Sequence, residues 1–166
     1  MNSEQSKIIE ALYREMFAKL LAYAQSNLDN ESLVDEAIQE TFRIACQCPE
    51  KVCESPNPQG WLVNTLRNTI RNMRRNQATA KRIMEQYLMQ QYKELSVTED
   101  SVRLEILYDD IADTEEFALL KEMAVDGLSH SEMAQARGIT VNACKKRVQR
   151  AKEFLQKKIK NNVTGR

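Results

Sequence analysis

Glycine and proline are scarce, at four and three among 166 residues, so little of the chain is punctuated by the residues that break regular elements. β-Branched runs and hairpin-type turn pairs are also few, which argues against a sheet. Ala, Leu, Glu, Lys, Gln, Arg and Met dominate instead, the vocabulary of helices. No apolar run reaches transmembrane length, and the polar start from Met1 to Lys7 is unlike a signal peptide, so a cytoplasmic location is expected. There is one histidine, His130, no glycine loop to cradle phosphate and no nucleophile–base pair. The convergent groups of a catalytic site are missing, so the chain reads as a non-enzyme with no cofactor. Its length allows one ordinary domain or two small ones.

Of four cysteines, Cys46, Cys48 and Cys53 lie close together and Cys144 lies far away. A structural zinc site needs four ligands at paired short spacings. These three are irregularly spaced and the histidine is in another segment, so no metal is expected. In a cytoplasmic chain they read as reduced thiols.

The formal charge is zero, but its distribution is uneven. Residues 141–166 hold nine Lys or Arg against one acid, Glu153. In residues 100–132 acids outnumber bases ten to two, and residues 67–82 carry six bases and no acid. Two basic blocks separated by an acidic one suggest two surfaces for polyanions. Taken singly, each block also reads as a solvated helix face.

Apolar periodicity predicts a helix over about 5–28, with Ile8, Leu12, Met16, Leu20, Ala24 and Leu28 recurring every fourth position. Asn30 or Ser32 can cap a second helix to about Cys46, burying Val34, Ala37, Ile38, Thr41, Phe42 and Ala45. Residues 48–59 contain all three prolines and read as a loop. Asn57-Pro58 is an N-cap followed by proline at the first helical position. A third helix runs from there past Arg75, with Trp61, Leu62, Leu66, Thr69, Ile70 and Met73 inward. At about a hundred degrees per residue, Asn64, Arg67, Arg71, Arg74 and Arg75 fall opposite.

Signals sharpen again at Asp113 or Thr114, which cap a helix containing Phe117, Leu120 and Met123 and ending at Asp126-Gly127. Ser129 with Glu132 is a capping box. The short helix it starts carries Met133 and Ala134 and closes at Gly138, where a left-handed conformation is expected. Thr140 caps the last helix, whose stripe is Cys144, Val148, Ala151, Leu155 and Ile159. The fold expected is all-α: two small helical domains, 1–92 and 109–166, joined by a linker at 93–108.

A short helix, a tight turn and a longer helix form a helix-turn-helix. Ala134 is small where the helices cross, and Ile139 and Cys144 fill the angle. The exposed face of the second helix presents Asn142, Lys145, Lys146, Gln149 and Arg150, with Arg147 on its flank. These side chains bond base edges and phosphates. The competing reading is a helical hairpin with a solvated basic face; the capping box, the Ala–Gly spacing and the one-sided charge favour DNA.

Residues 127–159, GLSHSEMAQARGITVNACKKRVQRAKEFLQKKI, resemble the promoter-reading C-terminal domain of extracytoplasmic-function sigma factors. The matching points are Gly127-Leu128-Ser129, Glu132-Met133-Ala134, Gly138-Ile139-Thr140 and Arg150-Ala151. Response-regulator output domains share much of this pattern, so the N-terminal half decides. DEAIQETFRIA, residues 35–45, resembles the family helix that docks on the clamp of the polymerase β′ subunit. GWLVNTLRNTIRNMRR, residues 60–75, resembles the helix that opens the minus-ten element. Three motifs in the right order are far more specific than one. Departures are mild: Glu36 stands where Asp is usual, Ala37 where an aliphatic is usual and Cys144 where a branched aliphatic is usual. The helix before the helix-turn-helix lacks the family's Pro and Arg.

The resemblance implies an alternative sigma factor that binds core RNA polymerase and recognises and melts a two-part promoter. By its correspondence, Asp35, Glu36, Gln39, Glu40 and Arg43 would face the polymerase. Asn64, Arg67, Asn68, Arg71, Arg74 and Arg75 would serve the minus-ten element. Asn142, Lys145, Lys146, Arg147, Gln149 and Arg150 would read the minus-thirty-five element. In the family the loop before the third helix helps capture a flipped base, whereas Trp61 reads as core packing. An anti-sigma protein is a further partner the family implies. The alternative is a stand-alone helix-turn-helix regulator whose first domain dimerises; it would bind a palindromic site without polymerase.

Overall fold

The computed structural model describes residues 2–95 and 114–164, and all regular structure among them is helical. The helices are α1 (Ser3–Gln25), α2 (Glu31–Gln47), α3 (Pro49–Cys53), α4 (Pro58–Leu95), α5 (Glu115–Ala124), α6 (His130–Ala136) and α7 (Val141–Thr164). The chain forms two compact units, residues 1–75 and 76–166. Of the expected linker, 93–95 continue α4 and 96–108 lie outside the described residues.

Unit 1 is built by capping and by one shared core. Asn2 accepts from the Gln5 amide at 2.8 Å while the Gln5 side chain accepts from the Asn2 amide at 2.9 Å, so α1 starts on a reciprocal box. Asn30, rather than Ser32, caps α2 through the Ser32 amide at 2.8 Å. The inner faces of α1, α2 and α4 meet in a core around Leu20, Val34, Leu62 and Leu66. Thr41 is buried there without penalty because its hydroxyl donates to the Ala37 carbonyl at 2.8 Å. Trp61 is half-buried against this core, as packing rather than display.

The proline-rich stretch is not wholly a loop. Pro49 opens α3, where its missing N–H costs nothing and its φ is already helical. Val52, fully buried, holds that single turn to the core. One apolar residue gives no period, so the pattern in the sequence could not reveal it.

Unit 2 joins α5, α6 and α7 to the second part of α4. Ala80, Ile83, Met84 and Tyr87 pack in one cluster with Phe117, Leu120, Met133, Val148 and Leu155. The contact boundary therefore falls at Arg75–Asn76, inside α4. Thr114 caps α5 through the Phe117 amide at 3.4 Å. Ser129 and Glu132 form their capping box at 3.1 and 2.8 Å. Gly138 takes φ 61°, and the Ile139 amide donates back to Ala134 at 3.0 Å, the closure a left-handed residue permits. Arg137 clamps α6 to α5 with a two-pronged bond to Glu122 at 2.7 and 2.9 Å. That bond pushes the Arg137 pKa above its ordinary value.

α4 begins on Asn57, whose side chain accepts from the Gly60 amide at 2.8 Å. A Cβ on Gly60 would stand 2.6 Å from the Asn57 side-chain nitrogen. Gly60→Ala and Asn57→Ala should therefore disturb the same cap. Each is expected to lower unfolding free energy by about 1 kcal/mol, and the double variant by little more than either single one. Denaturant titration checks this; fully additive losses would refute a shared cause.

Candidate nucleic-acid interface

The geometry of α7 is set by what it buries. Cys144, Val148, Ala151 and Leu155 face inward, and a helix advances about a hundred degrees per residue. Asn142, Lys146, Arg147, Gln149 and Arg150 are consequently exposed and Lys145 half-buried. Thr140 caps the start through the Ala143 amide at 3.2 Å. This leaves the first turn with a polar, positive end suited to an anion.

The exposed side chains of α7 are not equivalent. Asn142, Lys146 and Arg150 make no hydrogen bond or ion pair among the described residues, so their donors are unspent. Arg147 instead reaches back to Glu115 at the start of α5, at 3.1 Å. Gln149 donates to Glu153 at 2.7 Å. Both acids were missed as partners in the sequence. Glu153 was legible as the i+4 neighbour of Gln149, whereas Glu115 lies 32 positions from Arg147 and only the fold joins them. An open groove of about 550 Å³ runs between α5 and α7, with Arg147, Arg150 and Phe154 on its wall.

α4 carries the second basic face. Burial of Leu62, Leu66, Thr69 and Ile70 turns Asn64, Arg67, Asn68, Arg71, Arg74 and Arg75 outward, and all six are exposed. Arg67, Arg71 and Arg75 have no intramolecular partner among the described residues. Arg74 does: its guanidinium donates to the Asn27 backbone carbonyl just past the end of α1. A cation there offsets the negative end of the helix dipole, so Arg74 ties α4 to α1. At the other end of this face, Gln59 donates to Glu15 of α1.

The outer face of α2 is of another kind. Asp35, Gln39 and Arg43 are exposed, and Glu36 and Glu40 are half-buried. Arg43 bonds Glu40 twice, at 2.8 and 2.6 Å. That bond pushes the Arg43 pKa up. With acids, an amide and one neutralised arginine, this face suits a protein partner better than a polyanion. Tyr13 packs edge-on against Phe42 at 4.8 Å beside it. No grouping of His, Cys, Asp and Glu among the described residues could hold a metal, and no described helix is long and apolar enough to cross a membrane.

Two family matches follow these two units in order. Residues 12–80 match the family described as Sigma-70 region 2, and residues 115–155 match Sigma-70, region 4. The first span contains the α2 face and the α4 arginines, and the second contains α5, α6 and the exposed basic face of α7. No curated protein and no solved structure matches the chain.

One cation on α7 is placed against function. Lys152 is buried, without a partner among the described residues, and burial pushes its pKa below the ordinary 10.5. The native state thus binds fewer protons than the unfolded state between that lowered value and 10.5, and stability rises with pH across this window. Lys152→Met should stabilise the protein by about 1 kcal/mol near neutral pH, because it removes a desolvated charge. Its advantage should shrink as pH approaches about 10. Chemical denaturation at several pH values measures both effects, and a constant difference across pH would refute the cause given.

Proposed function

The chain belongs to the sigma-70 family as an extracytoplasmic-function-type sigma factor, and from that premise we propose how its faces divide the work of directing promoter-specific transcription initiation. Family membership carries the coarse statement: the protein binds core RNA polymerase and promoter DNA. A stand-alone regulator is not favoured, because the N-terminal half matches a polymerase-binding region and not a dimerisation domain.

In this reading residues 1–92 bind polymerase and the minus-ten element, 93–108 connect, and 109–166 read the minus-thirty-five element. The α2 face, through Asp35, Glu36, Gln39, Glu40 and Arg43, meets the clamp of the β′ subunit. On α4, Arg67, Arg71 and Arg75, with Asn64 and Asn68, hold the phosphates of the minus-ten region and assist its opening. Each phosphate neutralised releases condensed counterions, giving a salt dependence of about 0.9 log unit per contact on duplex DNA. Arg74, already bonded to α1, contributes by orienting the face. On α7, Asn142, Lys146 and Arg150 approach the major groove with Lys145 and Gln149 beside them. The protein performs no chemistry, and its site of action is the cytoplasm. The observation that carries the reading is the pairing on one chain of an acid- and amide-bearing α2 face with two basic faces that keep unspent donors.

Two experiments test the division. Lys146→Ala with Arg150→Ala should lower transcription from the cognate promoter about tenfold or more, while core polymerase is still retained. Unchanged promoter use would sink the α7 assignment. Replacing Gln39, Glu40 and Arg43 together by Ala should weaken recovery of core enzyme in pull-down without unfolding unit 1. Undiminished recovery would refute the α2 assignment.

A further inference from the structure

Gln149 is held in a defined pose on the exposed face of α7. Its Nε2 donates to Oε1 of Glu153, one helical turn further on, at 2.7 Å. Glu153 is the single acid in residues 141–166, set among Lys146, Arg147, Arg150 and Lys157. None of these bases takes it: Arg147 is engaged by Glu115, and no ion pair joins Glu153 to a base among the described residues. The bond from Gln149 is the interaction Glu153 makes there.

That bond has a consequence for recognition. A glutamine amide offers one carbonyl oxygen and two N–H groups, and it can turn either edge outward. A carboxylate accepts only, so Glu153 selects the orientation with nitrogen toward itself and uses one N–H. Oε1 and the second N–H remain, side by side. Acceptor beside donor is complementary to adenine in the major groove, where N6 donates and N7 accepts. Guanine offers two acceptors there and leaves Oε1 without a donor. A carboxylate on a face that approaches a polyanion weakens phosphate attraction, so Glu153 opposes binding unless it serves a neighbour.

Resting on the reading of α7 as the helix that enters the major groove, we propose that Gln149 reads an adenine in the upstream promoter element and that Glu153 is the positioning residue that orients its amide.

The test uses holoenzyme assembled from the full chain and core polymerase, transcribing from a library in which every base pair of the upstream element is varied. Gln149→Ala should abolish the preference for adenine at one position. Glu153→Ala should reduce that same preference by up to about twofold, the bias an i, i+4 side-chain pair exerts on a helix, and leave other positions unchanged. Glu153→Gln loses the same charge and offers both a donor and an acceptor, so it no longer selects one orientation and should reduce the preference as Glu153→Ala does. Both Glu153 variants should gain promoter affinity equally, the electrostatic effect that a role in charge alone would produce. A base preference left unchanged in Glu153→Ala and Glu153→Gln, with only the gain in affinity, would overturn the positioning role. Loss of preference at a G·C pair in Gln149→Ala would overturn the adenine assignment. No change at any position in Gln149→Ala would overturn both, and the Lys146 and Arg150 double variant then separates this failure from that of the major-groove reading itself, which falls only if that variant also transcribes normally.

Discussion

Burying Leu62, Leu66, Thr69 and Ile70 fixes the direction of the α4 arginines that lie on the same turns. The pitch of a helix leaves no separate freedom: once four positions face the core, residues 64, 67, 68, 71 and 75 face water. The same constraint acts on α7, where Cys144, Val148, Ala151 and Leu155 turn Lys146 and Arg150 outward. A functional face of this kind needs no loop to position it. Its precision is that of the packed core beneath, which tolerates volume changes poorly. Truncating a fully buried leucine such as Leu66 typically costs about 2–5 kcal/mol, so the arginine face and the stability of unit 1 are not independent.

Much of the fold is visible in the sequence wherever the controlling interaction is local. Asn30, Asn57, Thr114, Ser129 and Thr140 cap the helices that their spacing announces, and Gly138 takes the left-handed turn. Such contacts span two to four residues, so they leave a short-range signature. The exposed faces of α2, α4 and α7 follow from period alone. What stayed hidden depends on residues far apart. Val52 holds α3 by long-range burial, and Arg74 finds a carbonyl 47 positions away. Ala80, Ile83, Met84 and Tyr87 belong to the core of unit 2; the weakly patterned stretch around them gave no indication of which partners they would meet.

The charged faces also differ in how fully they are spent within the protein. Arg43, Arg137 and Arg147 have carboxylate partners, and Arg74 has a backbone carbonyl. Arg67, Arg71, Arg75, Lys146 and Arg150 have none among the described residues. Arginine with a partner braces the fold; arginine without one keeps its planar fork of donors available for phosphate or a base edge. A net charge of zero is therefore a poor guide to this protein. Among the described residues, Glu40, Glu115 and Glu122 each settle an arginine, Asp35 and Glu36 lie on the α2 face, and arginines without a partner lie on α4 and α7.

The division of α4 between two cores bears on how such proteins recombine. The region 4 match begins at residue 115, and a joint placed just ahead of it would inherit a recognisable helix-turn-helix. It would not inherit Ile83, Met84 and Tyr87, which are buried against that helix-turn-helix here. Phe117, Leu120 and Leu155 would lose apolar neighbours and meet water instead, at about 25 cal/mol for each Å² exposed. The helix-turn-helix of this chain is thus heritable as a foldable unit only together with the tail of the helix that bears the N-terminal arginine face, so that exchange of one half between relatives must carry a piece of the other.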